Sequence, residues 1–346
     1  MGEKLPPPAV NSWLTALWQA AQSINPQLAW QDVYSASGMP FVYVAAESWC
    51  DPATIHCHPR MSIVPVPALR ALRQFDVAHW AAFGIAVSQH WFTTTHELSE
   101  FLRQPVNGAV VIWGVDGPEY GLMIANTATT VTIQRCDGSL HTRAITALYL
   151  RSGIDIVVLA PQPIVRLPAY APLAHACALI DHKQIVRFGT PNHPLRAEQA
   201  WHVGRGAFEV MALTADHAAP LGMVSTHVAK IMQDLWQRCG VARQLVAHWA
   251  DVHPLPTGRQ LLFQAADAFA DAQFFLDIVC THFPIVTPHR ALNHAEGALI
   301  AVACRDVRAV LDVAAQDMRQ ALQQWQPHAD ARRRGVRWWA ERDSNL

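Results

Sequence analysis

The sequence predicts an α+β chain in two halves: a mixed first half with consecutive, antiparallel strands, and an all-α second half. Three observations carry this. Short apolar runs of strand length follow one another between Ala109 and Leu159, with an Asp-Gly reversal among them. Pro161, Pro163, Pro168 and Pro172 then fall within a dozen residues. Beyond them, apolar residues recur at three- and four-residue intervals over long stretches. The expected organisation is an α+β domain over 1–160, a helical domain over 161–330 and a basic tail over 331–346.

The first helix is expected from Asn11 to Ile24, where Trp13, Leu14, Leu17, Trp18 and Ala21 share a face. Pro6-Pro7-Pro8 cannot continue it backwards, Asn11 or Ser12 can cap it, and Pro26 ends it. A short strand is read at Phe41–Ala45 after the turn at Gly38. A proline-rich loop spans Cys50–Pro67, with a helix near Pro67–Phe75 and another over Thr95–Arg103, Thr95 serving as its cap. Ala109–Trp113 is apolar throughout, as a central strand buried on both faces would be. Tyr120–Ala125, the alternating Thr130–Gln134 and Ile154–Leu159 complete the strands, and Cys136-Asp137-Gly138 is a tight turn. In the second half, helical spacing covers Leu173–Val186, Leu195–Ala215, Met223–Val252, Gly258–Phe283 and Ala291–Trp325, enough helix for a bundle. The basic-aromatic tail contains Arg332-Arg333-Arg334, Arg337 and Trp338-Trp339, and a frayed terminus is its plain reading.

Composition excludes several classes. The 346 residues are 51% apolar, too many for a disordered chain, and no uncharged apolar stretch reaches the length of about 18 residues that spans a membrane. Lys plus Arg is 26 against Asp plus Glu at 27, a balance that gives no general attraction to nucleic acid or an anionic membrane. The charged fraction of 15% is low, which leaves apolar surface for a partner or for self-association into a homo-oligomer. The N-terminus has no apolar signal region, and the seven cysteines contain no CxxC, so a cytoplasmic location with reduced, mostly buried thiols is expected.

One stretch, Glu47–His58, is dense in chemistry, with two thiols, two imidazoles and two carboxylates. Cys50, Cys57 and either His56 or His58 are of the types that hold zinc tetrahedrally, although C-x6-C-H matches no standard knuckle. The remaining histidines are dispersed over the helices and form no HExxH, and Glu296 and Asp306 lack the paired E-x-x-H of di-iron bundles. No GxGxxG or P-loop occurs, and Gly204-Arg205-Gly206 follows no expected strand, so no nucleotide cofactor, and no cofactor of any kind, is implied.

The stretch Ala29–Phe41, with Ser37-Gly38-Met39-Pro40-Phe41 at its end, resembles the G-x-S-G-x-x-F segment of the butirosin-biosynthesis acyltransferase N-terminal family. That family is related to the papain-like cysteine peptidases that remove bacteriocin leaders. Val106–Leu122, with Ile112-Trp113-Gly114 and Pro118-Glu119-Tyr120-Gly121-Leu122, looks like its strand pair. Residues 205–213 look like part of the helical half that accompanies it.

The resemblance implies a papain-like first domain. In such a site a thiol sits at the N-terminus of the first helix, a strand His takes its proton, and an acid orients the His. Ser12 stands in the nucleophile slot, Glu119 or Tyr120 in the His slot, and Asp137 matches the orienting acid by position. The expected protein is therefore papain-like with a degenerate site, binding a small metabolite or peptide. One alternative is an acyltransferase or amide hydrolase working through an acyl-enzyme, with an oxyanion hole at the helix N-terminus and, for the transferase, an acyl carrier protein as partner. The other is a zinc protein built on Cys50–His58.

Overall fold

A computed structural model describes residues 12–46, 79–92, 94–113, 120–127, 129–147, 154–181, 185–188, 199–217 and 223–343. The first helix, α1, is Ser12–Ile24. Its apolar spacing becomes a buried face of Leu14, Ala16, Leu17, Ala20 and Ala21, laid against the main sheet. A second helix, α2, follows at Trp30–Ser37, where no element is expected from the sequence. Gly38 ends it in the left-handed region (φ 63), and its N–H donates to the Ser35 carbonyl. A side chain there would be strained in φ and would also strike Leu179 and the His175 ring, whose Cε1 lies 2.9 Å from the position a Cβ would take. The chain then makes one 3-10 turn at Met39–Phe41 before the strand β1 at Val44–Ala46, so the strand expected at Phe41 starts three residues later.

The main sheet holds six antiparallel strands in the order β2-β7-β3-β4-β5-β6. They are β2 (Ile85–Phe92), β3 (Ala109–Trp113), β4 (Tyr120–Asn126), β5 (Thr130–Gln134), β6 (Leu140–Ala144) and β7 (Ile154–Pro161), with α3 (Thr95–Arg103) between β2 and β3. Period-2 alternation divides β3 and β7 between two cores. Val111, Val157 and Leu159 face the core that contains α1, whereas Val110, Ile112, Ile154, Ile156 and Val158 join Leu98 and Leu102 of α3. Both faces of β3 are therefore covered, which is why it reads as a continuous apolar run. The cap of α3 is Thr94, one residue before the expected Thr95: its hydroxyl accepts from the Glu97 N–H at 3.2 Å.

The second half is mostly helical, with α4 (Ala171–Ile180), α5 (Gly206–Asp216), α6 (Ser225–Val252), α7 (Pro256–His282) and α8 (His294–Asp343). It is not all-α. Helical spacing over Leu173–Val186 and Leu195–Ala215 conceals two strands, β8 (Ile185–Phe188) and β9 (Gln199–Val203). β9 pairs with β1 on one side and β8 on the other, so its ladder partner comes from the start of the chain, where local periodicity gives no sign of it. Gly204, at φ 77, turns the chain from β9 into α5. Helix α8 also continues past Trp325 to Asp343, so the segment expected as a tail is the end of a 50-residue helix.

The larger core runs without a break from Leu14 and Tyr34, through Val157 and Phe208, to Leu235, Phe269 and Leu311. Ion pairs tie α5 and its approach to α8: Glu209 with Arg308, Asp216 with Arg305, and Arg205 with Asp312 at 2.6 Å. The expected helix near Pro67–Phe75 lies outside the described residues.

Candidate functional site

One end of the main sheet gathers the positions that the sequence singles out. Ser12 opens α1, although its side chain is outside the described residues, as are Asn11 and Glu119. The next residue, Trp13, rests its ring on Tyr120, centroids 4.6 Å apart. Tyr120 is the first residue of β4 and is buried. Because Leu122 pairs with Gln134, the turn that follows β5 stands at this same end, and Asp137 lies in it.

Asp137 is committed to its own turn. Its Oδ1 accepts from the backbone N–H of Ser139 at 2.9 Å and from the Ser139 hydroxyl, and Gly138 supplies φ 82. The Ser139 bonds, side chain first, hold the Asp137 carboxyl below its ordinary value. His141 Nε2 approaches the same Ser139 hydroxyl at 3.1 Å. With the hydroxyl hydrogen on Asp137, the imidazole faces the oxygen lone pairs and has no proton to remove, so this Asp–Ser–His row, half-buried at Ser139 and His141, is not arranged as a nucleophile with its base.

Two further polar groups line the inner side of this end. The Tyr34 hydroxyl is buried, with Thr15 of α1 beside it and Cys136 of the β5–β6 turn nearby; burial pushes its pKa upward. Cys136 is a half-buried cysteine outside any disulfide. Its position beside Asp137 in the Asp-Gly turn is the one sequence sign that marks it. Nothing in the sequence associates Tyr34 with Thr15.

Further polar groups lie within or against the core. His175 is buried in face-to-face contact with His79 (centroids 4.4 Å), whose Nε2 lies 3.0 Å from the Ala171 carbonyl. Burial first, and then His79, lowers the pKa of His175 to about 3, so its imidazole is neutral. Asp234 and Arg238 form an ion pair at 2.6 Å inside the core, beside Tyr43 and Cys239. Burial raises the thiols of Cys177, Cys239, Cys280 and Cys304 to about 12, which removes them as nucleophiles near neutrality. Glu296 does face inward, but Arg290 holds it through two hydrogen bonds, and it caps α8 by accepting from the Asn293 N–H at 2.9 Å.

Cys50, His56, Cys57 and His58 lie outside the described residues, and among the described residues no group of three His, Cys, Asp or Glu is placed to hold a metal ion. No described helix is long and apolar enough to cross a membrane. Compared with known proteins, the chain matches no family model, and no curated protein is significantly similar to it.

Proposed function

We propose that this is a papain-like-fold protein with a degenerate catalytic site, which binds a small metabolite or peptide at the end of the sheet where α1 begins. The observation that carries the reading is the Trp13–Tyr120 contact beside the first residue of α1. On this reading Tyr120, which shares with Glu119 the candidacy for the histidine slot, puts a phenol where the papain arrangement needs an imidazole, and a phenol is a poor acceptor for a serine proton near neutrality. The carboxylate of Asp137, already bonded within its turn, has no part in orienting a base. The helix N-terminus still offers donors for a carboxylate or carbonyl, and the half-buried Trp13 ring beside it offers apolar surface for the rest of a ligand.

The test has two arms. A panel of dipeptides and N-acyl amino acids is titrated while tryptophan fluorescence is followed, in the full chain and in Trp13→Phe. Saturable binding without turnover, weakened about tenfold or more in the variant, is the expected result. In the second arm the chain is incubated with an acyl-N-acetylcysteamine thioester and its intact mass is measured. An added acyl group that is lost in Ser12→Ala would overturn the non-catalytic reading in favour of an acyltransferase or amide hydrolase, with an acyl carrier protein as the natural donor for the transferase. Stoichiometric zinc lost in Cys50→Ser and Cys57→Ser would favour the metal-binding alternative. Location in the cytoplasm belongs to the same reading.

A further inference from the structure

The main sheet ends, at β6, on a strand with no outer neighbour among the described residues. Its pairing with β5 is regular: the Ile145 N–H donates to the Thr129 carbonyl, the Arg135 N–H to the Ser139 carbonyl, and the register between them has no bulge. The backbone groups of His141 and Arg143 are thus turned inward to β5, and those of Leu140, Thr142 and Ala144 outward. Among the described residues, none of these outward N–H or carbonyl groups forms a hydrogen bond.

The side chains follow the same alternation. Val131 and Ile133 of β5 are buried with Leu98 and Leu102 of α3, so Thr132 and, opposite it, Thr142 stand on the other face, their hydroxyls 2.9 Å apart. Leu140, Thr142 and Ala144 are all exposed there, Leu140 to 61%. Sheet edges open to water are commonly closed by Lys, Pro or a bulge. Leu-His-Thr-Arg-Ala has neither residue. The opposite edge strand, β2, is treated differently: the Gln162 side-chain amide donates to the Ile85 carbonyl at 2.7 Å and occupies it.

We infer that β6 pairs antiparallel with β6 of a second copy of this chain, about a two-fold axis at Thr142, joining the two main sheets into one. The strand is self-complementary in this register. With Thr142 opposite Thr142, Leu140 lies opposite Ala144 and Ala144 opposite Leu140, so every outward N–H meets an outward carbonyl. A shift of one residue sets outward groups against inward ones, and a shift of two leaves one end of each strand unpaired. The side chains agree with the backbone. The exposed Leu140 covers the small Ala144 of the second copy, and the row of hydroxyls from Thr132 to Thr142 continues across the axis. On the other face His141 falls opposite Arg143, which with the imidazole neutral opposes no like charges. The contact is isologous and closes on itself, as a two-fold dimer requires.

Sedimentation velocity of the full chain over a range of concentrations tests the pairing. Five residues of strand cover less than the about 800 Å² per partner of a stable interface, so the expected dimer is reversible and grows with concentration. Thr142→Pro removes an outward N–H and takes no bond from the β5–β6 ladder, while Leu140→Lys puts a charge on the edge. Each should weaken the dimer by about tenfold or more, with the thermal unfolding of the dilute chain unchanged. In the wild type, hydrogen exchange over residues 139–145 should slow as concentration rises, and excess synthetic peptide of that sequence should dissociate the dimer. A wild-type chain monomeric at all concentrations, a dimer that neither variant weakens, or a dimer without added protection over 139–145 would overturn the assignment. So would a monomer that binds the peptide, since the edge would then take its strand from a different chain.

Discussion

Arg238 of α6 and Val42, 196 residues earlier in the chain, are joined inside the core: the Arg238 Nη1 donates to the Val42 carbonyl at 2.9 Å. The same guanidinium pairs with Asp234 at 2.6 Å and is fully buried. This residue therefore pins the turn after α2 to the middle of the helical half. Removing one member of a buried pair leaves an uncompensated charge, so Arg238→Ala should cost about 3–5 kcal/mol in urea unfolding. The double variant Asp234→Leu/Arg238→Met removes both charges and should recover most of that loss. A double variant as unstable as the single one would show that the bond to Val42, not the ion pair, dominates.

His175 makes stability depend on pH in a defined window. Its pKa is about 3 in the folded chain against an ordinary 6.5, so below pH 6.5 the unfolded chain takes up a proton that the folded chain refuses. Its contribution is complete above pH 6.5 and is lost as pH falls from 6.5 towards 3. Between about pH 7 and about pH 5.5 the wild type should lose about 1 kcal/mol more than His175→Leu. Equal slopes in the two proteins would remove His175 as the cause.

Gly258 sets two effects against each other. Alanine is favoured over glycine within a helix by about 1 kcal/mol. A Cβ at Gly258, however, would strike the ring of His253. That ring is held, with Nδ1 and Nε2 each 3.1 Å from a carbonyl, Leu255 and Ala321, and so has little room to yield. Overpacking should win, and Gly258→Ala should destabilise by about 1–3 kcal/mol. A stabilised variant would mean that the His253 ring moves freely.

Glu296 holds the start of α8. Its hydrogen bonds from Arg290, more than the Asn293 N–H, bring its pKa down to about 2 from an ordinary 4.5. The folded-state value is lowered, so the stabilisation is complete above pH 4.5 and disappears as pH falls towards 2. Arg290 is half-exposed, so solvent screening reduces the worth of the pair. Glu296→Gln should cost about 1–2 kcal/mol near pH 7, and the gap from wild type should close on acidification. Urea midpoints measured along that pH range check it.

Legibility in the sequence follows the reach of each signal. The α1 face, the apolar β3, the alternating Thr130–Gln134 and the Asp137-Gly138 turn rest on neighbours within a few residues, and each appears in the structure where local pattern puts it. Strand β2 escapes because it is an edge strand: Ser88 is exposed and the flanking residues are half-covered, so no apolar run forms. Of the candidate site, Ser12, Tyr120 and Asp137 could be named from the sequence, but only the β4–β5 register brings Tyr120 and Asp137 to one end of the sheet. That Asp137 spends its carboxylate on Ser139 is a matter of turn geometry that residue identity alone does not reveal.

By itself the sequence determined the helices and strands whose periodicity is local, and the mainly helical character of the second half. The tertiary structure alone decided that β7 returns between β2 and β3, that β9 pairs with β1, and that Arg238 closes on Val42. The reason is physical: a hydrogen-bond ladder or a buried charge is stabilised by partners distant in the chain, and their identity is set only when the core closes and every buried polar group must find one.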